Sequence, residues 1–457
     1  MEFKQIYTPG LAHCSYVIGG KEYCLVVDPA REVTQYINIA ESLGLKIKAI
    51  IETHLHADFV SGHTELAMLT GADIYISRKA GAAFLHHALE DEEIFRVDTL
   101  LVKMLETPGH TPEGTVFTVA DLERGPEPIL MFSGDTLLVG DVGRPDLFPD
   151  IKEELASELY HSLRRLEKLA DHMEIYPAHG AGSLCGRSLS SKLSSTVGTE
   201  RLYNGAINIH PEAEFMNQLL EDMPEAPDHF SRCSEINRQG PAITVQLPKP
   251  VGYSPQEFLQ LIESGHLVVD TRDQLPFAAA HIPGAYGLSL KGNFATFSGW
   301  VLPPDKPLLL VVDDIKALNA ALLGLRSVGL DNVLGYLEGG MGAWAESGYK
   351  TSGFACISIM ELKDLLDKNE ILLIDTRLKG EYEEKHIAGS IHVPAPDVRY
   401  RYQEWKGEKP VAFICNTGNR SLLACSLMQR SRADAVIFNV LGGTKSWADM
   451  GLPMVNG

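Results

Sequence analysis

The stretch THLHADFVSGH, residues 53–63, decides the fold of the first half of the chain. It lies just after IKAII, an apolar run that is typical of a buried strand. His54, His56 and Asp58 recur at every second position, so in an extended segment their side chains project to the same side. Imidazole and carboxylate groups are ligands of zinc and iron. The pattern therefore predicts a metal site on a loop that follows a strand.

Three later segments continue this pattern. His110 lies in TPGHTP, Asp135 in MFSGDT and His179 in IYPAHG, and each segment ends a strand-like run or opens a loop. A lone HxH is weak evidence, because a histidine on an apolar strand is more often a hydrogen-bonded core residue. The ordered series of four segments is much harder to obtain by chance. It predicts metal binding in an α/β layered domain.

The series resembles that of the metallo-β-lactamase superfamily, over roughly residues 1–195. The resemblance implies an αββα fold whose site residues lie on loops at strand ends. Asp28, in LVVDP, matches an aspartate that usually braces the metal loops of the family.

One departure from the family pattern concerns Phe59. Hydrolases of the glyoxalase II type carry HxHxDH, in which the aspartate and the last histidine hold a second metal. Phe59 stands in place of that histidine, and phenylalanine cannot ligate a metal. A complete dinuclear site is therefore not expected, and the chain is more similar to the persulfide dioxygenases of this fold, which use one iron.

The dioxygenase resemblance implies a set of ligands for one Fe²⁺ per chain: His54, His110 and Asp135. Two histidines and one carboxylate leave three coordination positions open, enough for a thiolate-like sulfur and O2 together. Three more residues would orient the ligands or act as alternative ligands: His56, Asp58 and His179. Zinc, with His56 among its ligands, is the alternative.

Two residues near this series have open roles. Arg144, between Gly143 and Pro145, is a candidate for binding a substrate anion, but a salt bridge with Asp146 or Asp141 explains it equally well. Cys185 follows His179 closely enough to approach the metal site.

The second half of the chain contains a repeat. LVVDTRDQLPFAAAHIPGAYGLSL, residues 267–290, matches LLIDTRLKGEYEEKHIAGSIHVPA, residues 372–395, and a Gly-Gly…Trp motif follows in each copy. Each copy spans about a hundred residues, which indicates a domain duplication. Short apolar strands alternate with helices and predict parallel sheets covered on both faces.

Three domains are predicted from these patterns. A metallo-β-lactamase-like domain covers residues 1–245, and the repeats cover 254–352 and 357–457, with a Pro- and Gly-rich boundary before the first repeat. The predicted fold class is α/β: an N-terminal αββα domain followed by two α/β domains with parallel sheets.

The second repeat carries a candidate nucleophile, Cys415, at the end of the apolar run VAFI. A short loop and then a helix follow it, so backbone N–H groups, the helix dipole and Arg420 should stabilise a thiolate. The predicted sulfur-binding loop consists of Asn416, Thr417, Gly418 and Asn419.

Both repeats resemble the rhodanese superfamily. Protein tyrosine phosphatases have a loop one residue longer, C-x5-R, so the shorter loop favours a sulfur atom carried on Cys415. In the first repeat, Val312 stands at the cysteine position and Ala317 at the arginine position, with Asp313 and Asp314 between them. That copy is predicted to be inert and to act as a spacer or an interface.

Composition limits the partners. The chain has 457 residues and a net charge of −20, which opposes binding to nucleic acid or to anionic membranes. It shows no signal peptide and no apolar run long enough to span a bilayer. Its seven cysteines form no CxxC pair, which favours a reducing, cytoplasmic location. The inert repeat favours a homo-oligomer.

Together these features predict an iron-dependent enzyme that oxidises a small thiol persulfide with O2 to sulfite. Cys415 would then make or use thiosulfate by transferring a sulfane sulfur. The alternative is a zinc hydrolase of thioesters with sulfur-carrier modules attached.

Overall fold

The computed structural model describes residues 1–187, 189–221, 223, 226–405 and 409–457. The chain divides into two compact units. The first comprises Met1–Leu247 with Arg326–Gly329, and the second comprises Pro248–Leu325 with Leu330–Gly457. The domain limits 1–245, 254–352 and 357–457 stay predictions.

The first unit contains two six-stranded sheets, with strand orders β1-β2-β3-β4-β5-β6 and β12-β11-β10-β9-β8-β7. Its strands are β1 Glu2–Thr8, β2 His13–Gly19, β3 Tyr23–Val27, β4 Lys46–Ile51, β5 Asp73–Ser77, β6 His87–Leu89, β7 Ile94–Val97, β8 Leu100–Glu106, β9 Thr115–Asp121, β10 Leu130–Gly134, β11 Glu174–Pro177 and β12 Ser195–Thr196. Its helices are α1 Thr34–Ser42, α2 His63–Thr70, α3 Lys152–Leu166, α4 Val197–Tyr203, α5 Glu212–Glu221 and α6 Phe230–Gln239, with short 3₁₀ helices at Arg78–Ala80, Pro149–Ile151 and Thr244–Gln246.

The three largest apolar cores formed by the described residues of this unit hold these layers together. Tyr16 and Phe132 belong to the core between the two sheets. Leu159 of α3 packs with Met131 of β10 on the outer face of one sheet. A third core, which includes Tyr36, Leu66, Val26 and Ile50, joins α1 and α2 to the outer face of the other. The four layers confirm the predicted αββα architecture.

The four segments that contain the candidate metal ligands each follow the end of a strand. THLHADFVSGH begins just after β4, His110 lies between β8 and β9, Asp135 directly follows β10, and His179 comes just after β11. β10 and β11 are parallel neighbours, so Asp135 and His179 leave the same edge of the sheet. An isolated bridge between His13 and His179 ties the two sheets together at this edge.

The second unit contains two five-stranded sheets, one in each repeat, and all of their pairings are parallel. The strand orders, β13-β17-β16-β14-β15 and β18-β22-β21-β19-β20, are equivalent, which confirms the duplication. The first repeat contains β13 Val251–Tyr253, α7 Pro255–Glu263, β14 Leu267–Asp270, α8 Gln274–Ala279, β15 Tyr286–Gly287, α9 Phe294–Val301, β16 Leu308–Val311, α10 Ile315–Ser327, β17 Val333–Leu337 and α11 Gly340–Glu346.

The second repeat contains β18 Ala355–Ile357, α12 Ile359–Asp367, β19 Leu372–Asp375, α13 Lys379–Glu384, β20 Ile391–His392, α14 Val398–Arg401, β21 Val411–Ile414, α15 Asn419–Ser431, β22 Ile437–Val440 and α16 Gly443–Asp449, with 3₁₀ helices at Ala395–Asp397 and Tyr402–Trp405. Equivalent capping boxes start α7 and α12: Ser254 with Glu257, and Ser358 with Glu361. No helix among the described residues is long and apolar enough to cross a membrane.

Candidate functional site

A buried aspartate organises the first metal loop. Asp28 accepts hydrogen bonds from the backbone N–H of Thr53 at 2.7 Å and from its hydroxyl at 2.9 Å. Asp28 adopts a positive φ of 49° at the end of β3, which turns its carboxylate toward this loop. The bracing role expected of Asp28 is confirmed.

The predicted ligands His54, His110 and Asp135 come together and are fully buried. Their ligand atoms lie within 4.8 Å of one another. The Nε2 atoms of His54 and His110 lie 3.9 and 3.4 Å from the same oxygen, Oδ2 of Asp135. Neither Nε2 has a hydrogen-bond partner among the described residues, although a buried polar atom normally has one.

The other ring nitrogens of these two histidines are occupied. Nδ1 of His110 donates to the backbone carbonyl of Arg144 at 2.8 Å, and Nδ1 of His54 lies 3.0 Å from the hydroxyl of Thr53. Burial lowers the pKa of both histidines, which favours the neutral imidazole, and the Nε2 atom of each ring faces Asp135. This is the arrangement in which histidine binds a metal, and the donor set therefore fits one.

Asp135 is also held by His179, which lies between two carboxylates. Nδ1 of His179 is 2.8 Å from Oδ1 of Asp135, and its Nε2 is 2.9 Å from Oδ2 of Asp58. Burial alone would lower the pKa of His179, but the two carboxylates raise it well above its usual value. Burial raises the pKa of Asp135, but the imidazole of His179 and the other histidines lower it well below its usual range.

His56 is turned away from the triad. Its Nε2 lies 3.3 Å from Oδ1 of Asp28 and 3.8 Å from Oε2 of Glu52. Burial opposes protonation of His56, but Asp28 and Glu52 raise its pKa. His56, Asp58 and His179 nevertheless have ligand atoms within 4.8 Å of one another, so they form a second potential group of metal ligands.

Phe59 fills space beside this second group. Its side chain is fully buried, and its ring centroid lies 4.4 Å from that of His56 and 4.2 Å from that of His13. A ligating histidine at this position would complete the second group, but the phenyl ring offers only a hydrophobic wall.

Arg144 is a buried structural cation in this structure. Its Nε and Nη2 donate to the two carboxylate oxygens of Asp146, both at 2.7 Å, and its Nη1 donates to the carbonyl of Leu184. The salt-bridge explanation therefore accounts for its side chain, while its backbone carbonyl holds His110. A substrate-binding role for Arg144 stays a prediction.

Several residues that support the loop were not identified from the sequence. Asn237 of α6 donates to the carbonyls of His56 and Phe59, both at 2.8 Å, and accepts from the N–H of Ser61. Glu113 accepts from the N–H of Leu55 at 3.0 Å. No local sequence signal marks Asn237, because its partners lie about 180 residues away.

Cys185 lies at the same site. It is buried, and its sulfur is within 4.8 Å of ligand atoms of Asp135 and His179. Burial and the nearby carboxylates of Asp58 and Asp135 raise the pKa of Cys185 well above its usual value. Cys185 therefore lies beside the candidate metal ligands, as expected, and a role for its thiol stays a prediction.

The Cys415 loop joins β21 to α15, as predicted. The Cys415 side chain is buried, and the backbone N–H of Gly418 donates to its Sγ at 3.0 Å. The hydroxyl of Ser421 lies 3.6 Å from the same sulfur. Gly418 has a φ of 104°, which favours glycine and lets its N–H turn inward. Asn416 and Thr417 are exposed, while Asn419 is half-buried.

Arg420 supports this loop through a carboxylate. Both terminal nitrogens of its guanidinium donate to Glu381 of α13. Burial would lower the pKa of Arg420, but Glu381 raises it, so the side chain is a permanent cation near Cys415. In the same repeat, Asp375 and Arg377 pair with each other through bidentate hydrogen bonds.

The equivalent loop of the first repeat has a carboxylate where an anion would bind. Val312 stands at the cysteine position and is buried, and Asp313 and Asp314 are exposed. Oδ1 of Asp314 accepts from the backbone N–H of Ala317 at 2.7 Å. This loop therefore satisfies its own N–H group with a protein carboxylate and has no nucleophile.

Family models match both halves of the chain. Residues 8–179 match the metallo-beta-lactamase superfamily, and residues 254–347 and 358–450 each match the rhodanese-like domain.

Relatives of the first half include two kinds of enzyme. Mitochondrial persulfide dioxygenase ETHE1 of Homo sapiens is 31% identical over 233 residues, which are 49% of this chain and 84% of that protein. A hydroxyacylglutathione hydrolase of Methylobacillus flagellatus is 32% identical over 221 residues, 47% of this chain and 80% of that protein.

A solved structure covers more of the chain. A metallo-beta-lactamase from Staphylococcus aureus subsp. aureus COL is 32% identical with a TM-score of 0.67, and the match covers 74% of this chain and 98% of that one. The chain therefore belongs to the metallo-β-lactamase superfamily, and it joins a domain homologous to the persulfide dioxygenases to two rhodanese-like domains in its C-terminal part.

Proposed function

We propose that this protein oxidises a low-molecular-weight thiol persulfide to sulfite with O2 at one Fe²⁺, and that Cys415 carries a sulfane sulfur to or from sulfite. The observation that carries the first part is the division of the buried histidines. The Nε2 atoms of His54 and His110 converge on one oxygen of Asp135. Nε2 of His56 faces Asp28 instead, and Nε2 of His179 faces Asp58.

His54, His110 and Asp135 would hold the iron. Bound iron would supply open coordination positions and the one-electron chemistry that O2 needs to react with a sulfur anion. The protein supplies orientation: the carbonyl of Arg144 fixes the ring of His110, and His179 fixes the carboxylate of Asp135.

The proposed oxidation balances as RSSH + O2 + H2O → RSH + SO3²⁻ + 2H⁺. The terminal sulfur loses four electrons, O2 accepts them, and the S–S bond breaks to release the carrier thiol. His179, held between Asp58 and Asp135, keeps a proton beside the site and orients Asp135.

Sulfur transfer at Cys415 also balances. The thiolate of Cys415 takes the terminal sulfur of RSSH, and the carrier leaves as RSH with the proton. The outer sulfur of the Cys415 persulfide then forms a bond to sulfite, the cysteine S–S bond breaks, and thiosulfate leaves. The N–H of Gly418 and the cation of Arg420 stabilise the sulfur anion on either side of this exchange.

The test uses protein that is purified anaerobically and loaded with iron. Metal content and persulfide-dependent O2 uptake are measured first, and about one Fe per chain with O2 uptake is expected. Cys415→Ser should keep O2 uptake and lose thiosulfate sulfurtransferase activity. Cys356→Ser, at a half-buried cysteine of the same repeat, is the matched control and should keep both activities. Equal loss of both activities in Cys415→Ser would refute the division of labour.

A second candidate function is thioester hydrolysis with zinc. It is favoured by the second group of ligand atoms, at His56, Asp58 and His179, and it is opposed by Phe59. Two zinc ions per chain, turnover of S-lactoylglutathione and no O2 uptake would establish it in place of the oxidation.

The remaining features of the proposal follow from composition. With a net charge of −20 the protein is not expected to bind nucleic acid or membrane, and its partners would be a small thiol persulfide, O2 and sulfite or thiosulfate. All seven cysteines are free thiols in the structure, which fits the reducing environment of the cytoplasm. A homo-oligomer stays a prediction, and gel filtration with light scattering tests it.

A further inference from the structure

The inert repeat makes direct contact with the Cys415 loop, and both belong to the second unit. The contact is made by Gln274, the first residue of α8. Its Nε2 donates to the backbone carbonyl of Thr417 at 3.2 Å and to Oδ1 of Asn419 at 2.8 Å. Asn419 in turn donates to the carbonyl of Lys291, again in the inert repeat.

The carbonyl that Gln274 contacts belongs to the peptide group that also donates a hydrogen bond to Cys415. The C=O of Thr417 and the N–H of Gly418 are the two ends of one peptide, and that N–H donates to Sγ of Cys415 at 3.0 Å. A hydrogen bond to the carbonyl end polarises the peptide and strengthens the N–H as a donor. Gln274 therefore acts on the sulfur through a rigid planar group, without touching it.

The fit around Gln274 is tight. A Cβ on Gly418 would lie 2.2 Å from Oε1 of Gln274, so the amide rests directly on the glycine. Oε1 also accepts from Nδ2 of Asn439 at 3.4 Å. Asn439 accepts a hydrogen bond from Ser421 at 2.6 Å, and the Ser421 hydroxyl lies 3.6 Å from the sulfur. Gln274 thus joins both polar groups that face Cys415.

We propose that Gln274 of the inert repeat is a positioning residue for Cys415, holding the peptide whose N–H stabilises the sulfur anion. The inert repeat has thus lost its own nucleophile and supplies part of the binding loop of its neighbour. The expected effect of Gln274 on turnover rests on the proposed sulfur transfer at Cys415. Its expected effect on the reactivity of the Cys415 thiol does not.

The test variant is Gln274→Met, which keeps the length of the side chain and removes the amide. The matched control is Gln429→Met, because Gln429 also joins the repeats, through His281 at 2.7 Å and the carbonyl of Gly353, without touching the loop. Cys415 alkylation by iodoacetamide is followed against pH by peptide mass spectrometry in the full-length protein. Single-turnover transfer of sulfur from the Cys415 persulfide to sulfite is measured in parallel.

Gln274→Met should shift the alkylation profile of Cys415 to higher pH and slow single-turnover transfer by about threefold to tenfold, the size of one lost hydrogen bond. KM for sulfite should change less than twofold, and O2 uptake should not change. An unshifted alkylation profile overturns the proposal, as does an equal shift in Gln429→Met, which would trace the effect to a loosened interface. If the wild-type protein transfers no sulfur, the proposed function fails, while the alkylation profile still decides the role of Gln274.

Discussion

Replacing Asp146 with asparagine tests how the loop that contains Arg144 is held beside the candidate metal site. Asp146 is the bidentate partner of Arg144, whose side chain is fully buried, and the carbonyl of Arg144 orients His110. Asp146→Asn keeps the size of the side chain but removes its charge and turns one acceptor into a donor. The guanidinium then faces an NH2 group instead of a carboxylate oxygen.

The expected loss of stability follows from the solvent exposure of the Arg144 and Asp146 side chains. Breaking a buried ion pair by removing one partner costs about 3–5 kcal/mol. Arg144 keeps its hydrogen bond to Leu184, and the side chain of Asp146 is 23% exposed, so solvent screens part of the loss. We expect about 3 kcal/mol of lost stability in the first unit. Because His110 loses a fixed partner, metal affinity should also fall, by about 10- to 100-fold.

Urea unfolding is followed with two optical signals. All four tryptophans lie beyond residue 247, so tryptophan fluorescence reports on the second unit, while circular dichroism reports on both. Asp146→Asn should lower the urea concentration at which the first unit unfolds, which circular dichroism detects. The transition of the second unit, detected by tryptophan fluorescence, should not change. Metal retention is measured by competition with a chelator.

The control is Glu235→Gln, in the same unit. Glu235 forms a bidentate pair with Arg238, but both side chains are exposed and screened by solvent, so loss of this pair should change stability much less than Asp146→Asn does. If Asp146→Asn and Glu235→Gln have equal effects, or if Asp146→Asn leaves metal affinity unchanged, the reasoning is wrong.

Three further changes have defined outcomes. Gly143→Ala should abolish metal binding, measured as metal content, because its Cβ would lie 2.1 Å from the backbone oxygen of Asp135. Gly443→Ala should abolish sulfurtransferase activity and leave O2 uptake intact, because its Cβ would lie 2.1 Å from the oxygen of Cys415, at a φ of 61°. Burial lowers the pKa of His229 to about 4, so the unfolded chain binds an extra proton below about pH 6.5 and stability falls as the pH drops toward 4, by up to about 3 kcal/mol. His229→Phe should flatten this pH dependence in urea unfolding, and an unchanged slope would contradict it.

The sequence by itself identified the candidate residues of both sites. Metal ligation requires histidine and carboxylate, and a sulfur-carrying loop requires a cysteine followed by a tight turn, so His54, Asp135 and Cys415 stand out with their neighbours. The duplication was also visible, because each repeat needs the same strands and turns. These features depend on residue type and local spacing, which a sequence displays directly.

Only the tertiary structure decided how these groups are paired. That His56 faces Asp28 and that Arg144 faces Asp146 depends on which way each loop turns. The contact of Gln274 with Thr417 joins residues 143 positions apart and exists only because the two repeats pack together. Such contacts are set by the packing of whole elements, and no local pattern encodes them. The residue types thus indicate which ligands and nucleophiles the chain contains. The packing decides which of their nitrogen, oxygen or peptide groups face each other.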